Sequence, residues 1–173
     1  MKKLLFFLMW FLIASGSAGA KESRREARKA REKERMEEVM QWIRNRELRF
    51  VARTAHPMGG ETIHLTSIYT LDIVNDSISA WLPFYGVAYR AEYGGGEGGI
   101  KFNEIARFIE SRESKKGSDL SMEVPSHGEF YRLHLSVTHS GFATLVVSGS
   151  NRQSIHFSGI VEKLPEVKKV RNF

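Results

Sequence analysis

The sequence predicts a mainly β protein: an antiparallel meander of about eight or nine strands, curled into a barrel or a two-layer sandwich, with one N-terminal α-helix. Three observations carry this. The hydrophobic period changes from 3.6 to 2 after Leu48, short turn segments separate the alternating runs, and a charged stretch free of Gly and Pro precedes them. Strands joined by such short connections pair antiparallel, because a parallel crossover needs a dozen or more residues. A large antiparallel sheet then curls or splits into two layers.

Residues 1–20 read as a cleavable export signal. Lys2 and Lys3 precede the ten-residue apolar run Leu4–Ile13, and small residues follow, ending in Ala18-Gly19-Ala20. That order is the one signal peptidase reads, with cleavage expected after Ala20 and a mature start at Lys21. The run falls short of the roughly 20 apolar residues a membrane span needs. No integral span is expected after cleavage, and a periplasmic or secreted location follows.

Residues 21–46 are expected to form the helix, being rich in Glu, Lys, Arg, Ala and Met. Opposite charges three apart, such as Glu22–Arg25 and Glu32–Arg35, support it weakly. Its first half has only Ala27 and Ala30 as apolar residues and should stand in solvent. In its second half Met36, Val39, Met40 and Ile43 form a stripe with Trp42 beside it. Such a stripe needs cover: the domain's own sheet, a partner helix or a membrane surface.

The all-β domain spans residues 47–164. Ile78, Ala80 and Leu82 alternate with Ser79, Trp81 and Pro83; Leu120, Met122 and Val124 with Ser121 and Glu123; Tyr131, Leu133, Leu135 and Val137 with Arg132, His134 and Ser136. Ile155, Phe157 and Val161 form a last run. Phe142–Val147 is apolar on both faces, and one face could receive the Trp42 helix. Asn75-Asp76, Lys115-Lys116-Gly117-Ser118, Ser126-His127-Gly128 and Ser140-Gly141 supply the turns. Residues 165–173 have no period and read as a loose tail.

Composition excludes several classes. With no cysteine, neither a disulfide frame, a thiol nucleophile nor a lipidated Cys is available. The net charge of +6 belongs to the front of the chain: residues 21–35 hold eight Lys/Arg and four Glu, and residues 36–173 balance. The folded body therefore offers no basic stripe for nucleic acid. The six histidines show no compact metal-ligand spacing, so no metal and no cofactor is expected. His134 and His156 lie on polar faces that neighbouring strands could bring together.

The most unusual stretch is Tyr93–Gly99, with five glycines in seven residues. No G-K-[ST] follows and Glu97 would repel an anion, so a flexible loop or a close backbone crossing is expected rather than a phosphate cradle. Trp81, Phe84, Tyr85, Tyr89 and Tyr93 lie just before it and make Trp81, Tyr85, Tyr89 and Tyr93 candidate ligand-binding residues. Arg152, in the polar turn Ser150–Ser154, is a further candidate for clasping a carboxylate. No G-x-S-x-G nucleophile motif occurs, and no carboxylate pair can be assigned.

The order of segments is familiar: a signal, a Lys/Arg/Glu helix, Leu48-Arg49-Phe50-Val51-Ala52, then Ser79-Ala80-Trp81-Leu82-Pro83-Phe84-Tyr85-Gly86. Gly98-Gly99-Ile100-Lys101-Phe102, Gly141-Phe142-Ala143-Thr144-Leu145, and Ser150-Asn151-Arg152-Gln153-Ser154-Ile155 with Gly159 complete it. Together these resemble a secreted family of the Bacteroidetes known as domain of unknown function 4251. The resemblance implies a Gram-negative envelope location and a β-rich fold, and it assigns no catalytic or binding role to any position.

Three functions fit these readings. First comes a non-enzymatic envelope module that binds a small apolar ligand or a protein partner. Second is a hydrolase-like enzyme with a site assembled from scattered polar residues, and third an interaction protein acting through the charged helix. A dry cavity inside the sheet would favour an apolar ligand, a cleft of convergent polar groups an enzyme, and a filled core with exposed apolar patches an interaction protein.

Overall fold

The computed structural model describes residues 16–89, 99–126 and 128–165. A helix, α1 (Gly16–Asn45), precedes nine strands: β1 (Glu47–Pro57), β2 (Ile63–Val74), β3 (Ser77–Pro83), β4 (Gly99–Ile105), β5 (Phe108–Ser114), β6 (Gly117–Ser126), β7 (Glu129–Thr138), β8 (Phe142–Gly149) and β9 (Arg152–Glu162). The helix begins five residues before the expected Lys21, and the segment read as the cleavage region joins it. The C-terminal residues 166–173 lie outside the described residues.

All nine strands form one antiparallel sheet in the order β4-β3-β2-β1-β9-β8-β7-β6-β5. Two consecutive meanders are thus joined where β1 pairs with β9, Phe50 opposite Val161 and Ala55 opposite Phe157. Between Ala52 and Thr54 the register shifts against both neighbours, and residues 65–68 of β2 bulge away from β1. The edge strands β4 and β5 are consecutive in the chain. Only residues 106–107 separate them, and Ala106 N–H donates to Asp76 O while Arg107 N–H donates to Glu123 O, both at 2.8 Å. The sheet curls until β4 faces β7, where the Phe102 ring stacks on Tyr131 with centroids 5.0 Å apart. The barrel-or-sandwich alternative therefore resolves to a single sheet curled into a half-barrel.

The alternating runs point their apolar sides inward as expected. Phe50, Leu71, Ile78, Leu133, Leu145 and Phe157 are buried in one continuous core. Gly159 lets β9 approach β1 closely: a Cβ there would lie 2.0 Å from the Val51 carbonyl oxygen.

The second half of α1 closes one end of the half-barrel. Val39 and Ile43 are fully buried, whereas Met36, Met40 and Trp42 are half-buried. Met40 Sδ accepts a weak hydrogen bond from Ser118 Oγ at 3.6 Å, and Arg35 donates to the Val161 carbonyl at 3.2 Å. Arg44 forks onto Glu113 of β5 at 2.9 and 3.2 Å, which holds the Glu113 carboxyl below its ordinary range. Arg46 then takes a left-handed φ of 53°, the usual way to end a helix, and β1 begins. The second apolar face of β8 does not receive the helix: α1 meets the turn at Gly141, and Phe142 stays 65% exposed. The helix packs across strand ends, where inward-facing side chains would otherwise meet water.

Candidate functional site

At the end of the half-barrel away from α1, Pro83 terminates the β3 ladder and the chain leaves the sheet. Residues 84–89 cross as a strap to the β8–β9 turn. Tyr89 N–H donates to the Asn151 carbonyl at 2.8 Å, Gln153 N–H to the Val87 carbonyl at 3.1 Å, and Val87 N–H to Gln153 Oε1 at 3.2 Å. Ala88 forms an isolated antiparallel bridge with Arg152.

Beneath the strap sits an ionic clasp. The Arg152 side chain is only 6% exposed and its Nε donates to Glu129 Oε2 at 3.3 Å. Its guanidinium also lies over the Phe84 ring at 5.2 Å and over Tyr131 at 5.5 Å. Burial pushes the Glu129 carboxyl up. Hydrogen bonds from Tyr131, Asn151 and Arg152, with the Arg152 charge, outweigh it and hold the group below its ordinary value. A buried charge is tolerated only when paired in this way. Arg152 therefore ties strap, β7 and β9 together, facing inward rather than into a surface groove.

The aromatic candidates divide between this clasp and the rim outside it. Trp81, on the outer face of β3, is 52% exposed, with Lys101 Nζ of β4 4.1 Å from its ring centre. A shallow groove of about 230 Å³ beside it is lined by Tyr69, Trp81, Pro83, Phe84, Gly99 and Lys101. Tyr85 and Tyr89, on the strap, are 36% and 67% exposed, and Val87 between them is 56% exposed. Tyr93 and the glycines of residues 94–98 lie outside the described residues. Among the described residues Trp81, Tyr85 and Tyr89 thus stand exposed at one end of the molecule, while Arg152 is buried beneath the strap. The sequence reading missed Glu129 and Lys101, which topology alone brings to Arg152 and Trp81. The available signal was Pro83 stopping the strand just before the aromatic pair Phe84-Tyr85.

A second constellation has the residue types of a hydrolase. On the outer face of β6 and β7, register pairs Asp119 with Ser136 and Ser121 with His134. His134 Nδ1 is 3.1 Å from Ser121 Oγ, and its Nε2 is 3.4 Å from Ser136 Oγ. Ser136, however, donates to Asp119 at 2.5 Å, and Asp119 Oδ1 stands 3.8 Å from His134 Nε2. The aspartate therefore holds a serine rather than orienting the imidazole, the reverse of what nucleophile activation needs. The cluster lies mid-strand between paired neighbours, where backbone N–H groups serve the ladders instead of an oxyanion. It is a half-exposed polar surface patch.

His134 and His156 are separated by Val146 of β8, to which both are paired, and His156 instead faces His56 across β1–β9. Among the described residues no three His, Cys, Asp or Glu are grouped as a metal site requires. Among them, too, no helix is long and apolar enough to cross a membrane.

Comparison with known proteins adds the following. The model of the family described as "Domain of unknown function (DUF4251)" matches residues 30–161, that is, the docked half of α1 and all nine strands but for the final residue of β9. The fold is similar to the crystal structure of a DUF4251 family protein from Bacteroides eggerthii DSM 20697. That chain is 16% identical, with a TM-score of 0.58, over 75% of this chain and 87% of that one. No curated protein matches.

Proposed function

The chain belongs to the DUF4251 family of domains of unknown function, and from that premise we propose that it is an exported, non-enzymatic binding module of the cell envelope whose partner is a protein docking on the aromatic rim. One observation carries the reading: the interior of the sheet is filled by side chains from all strands and α1, while Trp81, Tyr85, Val87 and Tyr89 stand exposed on one rim. Among the described residues the inward side chains pack in one cluster at 0–6% exposure, which favours a surface partner over an enclosed apolar ligand. Exposed aromatics clustered on a hydrogen-bonded strap are what a protein partner would bury, since Trp and Tyr contribute most to interface cores. Export is supported by Lys2-Lys3, the Leu4–Ile13 run and Ala18-Gly19-Ala20.

The test is photo-cross-linking in the native host. With a photoreactive residue in place of Trp81, one discrete adduct is expected in the periplasmic fraction, on a chain whose N-terminus is Lys21. The same residue in place of Phe142, which is also exposed but lies at the other end of the sheet, should give none. Adducts at both positions, or at neither, would refute a specific rim.

A further inference from the structure

The docked face of α1 is marked by Ile43, Val39 and Arg35, each four residues apart. Followed toward the N-terminus, the same line reaches Arg31, Arg28 and Arg24, because residues three and four apart share one face of a helix. Residues 22–34 are all exposed, so this arginine stripe extends past the part of the body on which α1 rests. Where it passes the β7–β8 turn, an open groove of about 540 Å³ is lined by Arg28, Arg31, Glu32, Lys33, Arg35 and Met36 on the helix and by the turn at residues 139–140.

The lining is unbalanced in charge. Against four cations it holds one acid, Glu32, whose carboxylate is 2.8 Å from Arg28. Lys33 and Arg35 reach Glu37 and Glu38 only at 3.8 and 3.7 Å. Arg24 and Arg31 form no ion pair among the described residues. On the other wall, His139 Nε2 donates to the Lys115 carbonyl at 3.1 Å, while its Nδ1 is buried without a hydrogen-bond partner. Four cations against one acid along an open groove favour an anion there.

We propose that this groove binds a ligand carrying two phosphate groups. A carboxylate would offset one unit of the excess of three, whereas two phosphate groups offset about two as the diesters of a lipid headgroup and about three as a free diphosphate. Guanidinium forks bind phosphate oxygens bidentately, and neighbouring arginines on the stripe have Cβ atoms about 5–6 Å apart, which suits adjacent phosphates. Two sources offer that chemistry, a free diphosphate and a phosphorylated lipid headgroup.

The experiment titrates the purified exported chain with inorganic pyrophosphate by calorimetry at low and high salt, and repeats the binding with phosphatidylcholine vesicles with and without cardiolipin. Pyrophosphate is expected to bind, to bind more weakly as salt rises, and to lose at least about tenfold in affinity when Arg28→Glu and Arg31→Glu are combined. Arg112→Glu, on the exposed edge strand β5, should bind as the natural chain does. Both variants change exposed side chains, and a circular dichroism melt verifies that each is folded. Cardiolipin-dependent flotation that pyrophosphate competes away identifies the headgroup as the source; pyrophosphate binding without flotation identifies a free diphosphate. The proposal is overturned by no binding of either probe, by flotation that pyrophosphate does not compete, or by equal losses in the groove and β5 variants.

Discussion

Replacing Ile43 by Ala should destabilise the protein more than replacing the larger Trp42 beside it. Ile43 is 1% exposed and belongs to the core, and truncating such a side chain to Ala costs about 2–5 kcal/mol in lost transfer energy and residual cavity. We take about 3 kcal/mol, a large part of the roughly 5–15 kcal/mol that holds a domain together. At roughly 2–4 °C per kcal/mol for a chain of this size, the melting midpoint should fall by about 6–12 °C. Trp42 is only half-buried, and its ring lies under the Arg35 guanidinium at 4.9 Å, a partly exposed contact worth about 0.5–1 kcal/mol. Trp42→Ala should therefore cost about 1–2 kcal/mol, where a fully buried ring would have cost about 3–5 kcal/mol. Removing residues 22–33, all exposed, should move the midpoint by less than about 2 °C. Urea and thermal melts of the three variants decide the matter. A larger loss for Trp42→Ala than for Ile43→Ala, or an unmoved midpoint for both, would refute the docking of α1 described above.

Two further predictions concern the sheet and the clasp. Gly159→Ala should destabilise by about 3 kcal/mol or more, because its Cβ would meet the backbone oxygen of Val51 and neither ladder can yield without breaking; a melt within 2 °C of the natural chain would contradict the β1–β9 register. Glu129 is held below its ordinary carboxyl value of 4.5, so its stabilisation is complete above that pH and is lost as pH falls through the depressed value. Glu129→Gln should thus be less stable than the natural chain at pH 7, and the gap should close on acidification; a gap independent of pH would refute the clasp.

The inward faces of β3, β6, β7 and β9 were legible because each buries every second residue, so alternation survives in the sequence. Strand β5 was not, since it lies at the sheet edge with nearly every residue exposed and no face to enforce a period. Strand β2 was blurred by the bulge at residues 65–68, which throws Ile68 into solvent. The helix stripe called for cover without saying by what, because Gly141, Ser118 and Val161, which meet it, come from three separate strand ends. The same holds for the rim. Trp81, Tyr85 and Tyr89 were suspected from clustering in the chain, whereas Glu129 becomes Arg152's partner only because the β8 excursion returns β9 beside the start of β7. Local pattern encodes burial, and pairing at a distance is encoded only by the fold.

The two ends of the half-barrel are closed by different physics. At the helix end Val39 and Ile43 cover the strand ends with apolar surface. At the other end the cover is a six-residue strap held by three hydrogen bonds to the β8–β9 turn and by a buried arginine whose counter-charge titrates. Protonating Glu129 removes the Arg152–Glu129 charge pair beneath the strap, which weakens the clasp on that side. Acid should therefore loosen the strap before it loosens the helix. The exposed Tyr85, Val87 and Tyr89 ride on that strap, so the face proposed for the partner is also the face anchored in part by a titrating carboxylate. Hydrogen exchange can follow this segment by segment. Falling pH should raise exchange at the Val87 and Tyr89 amides while Val39 and Ile43 stay protected, and simultaneous loss at both ends would show that the two closures are one cooperative unit.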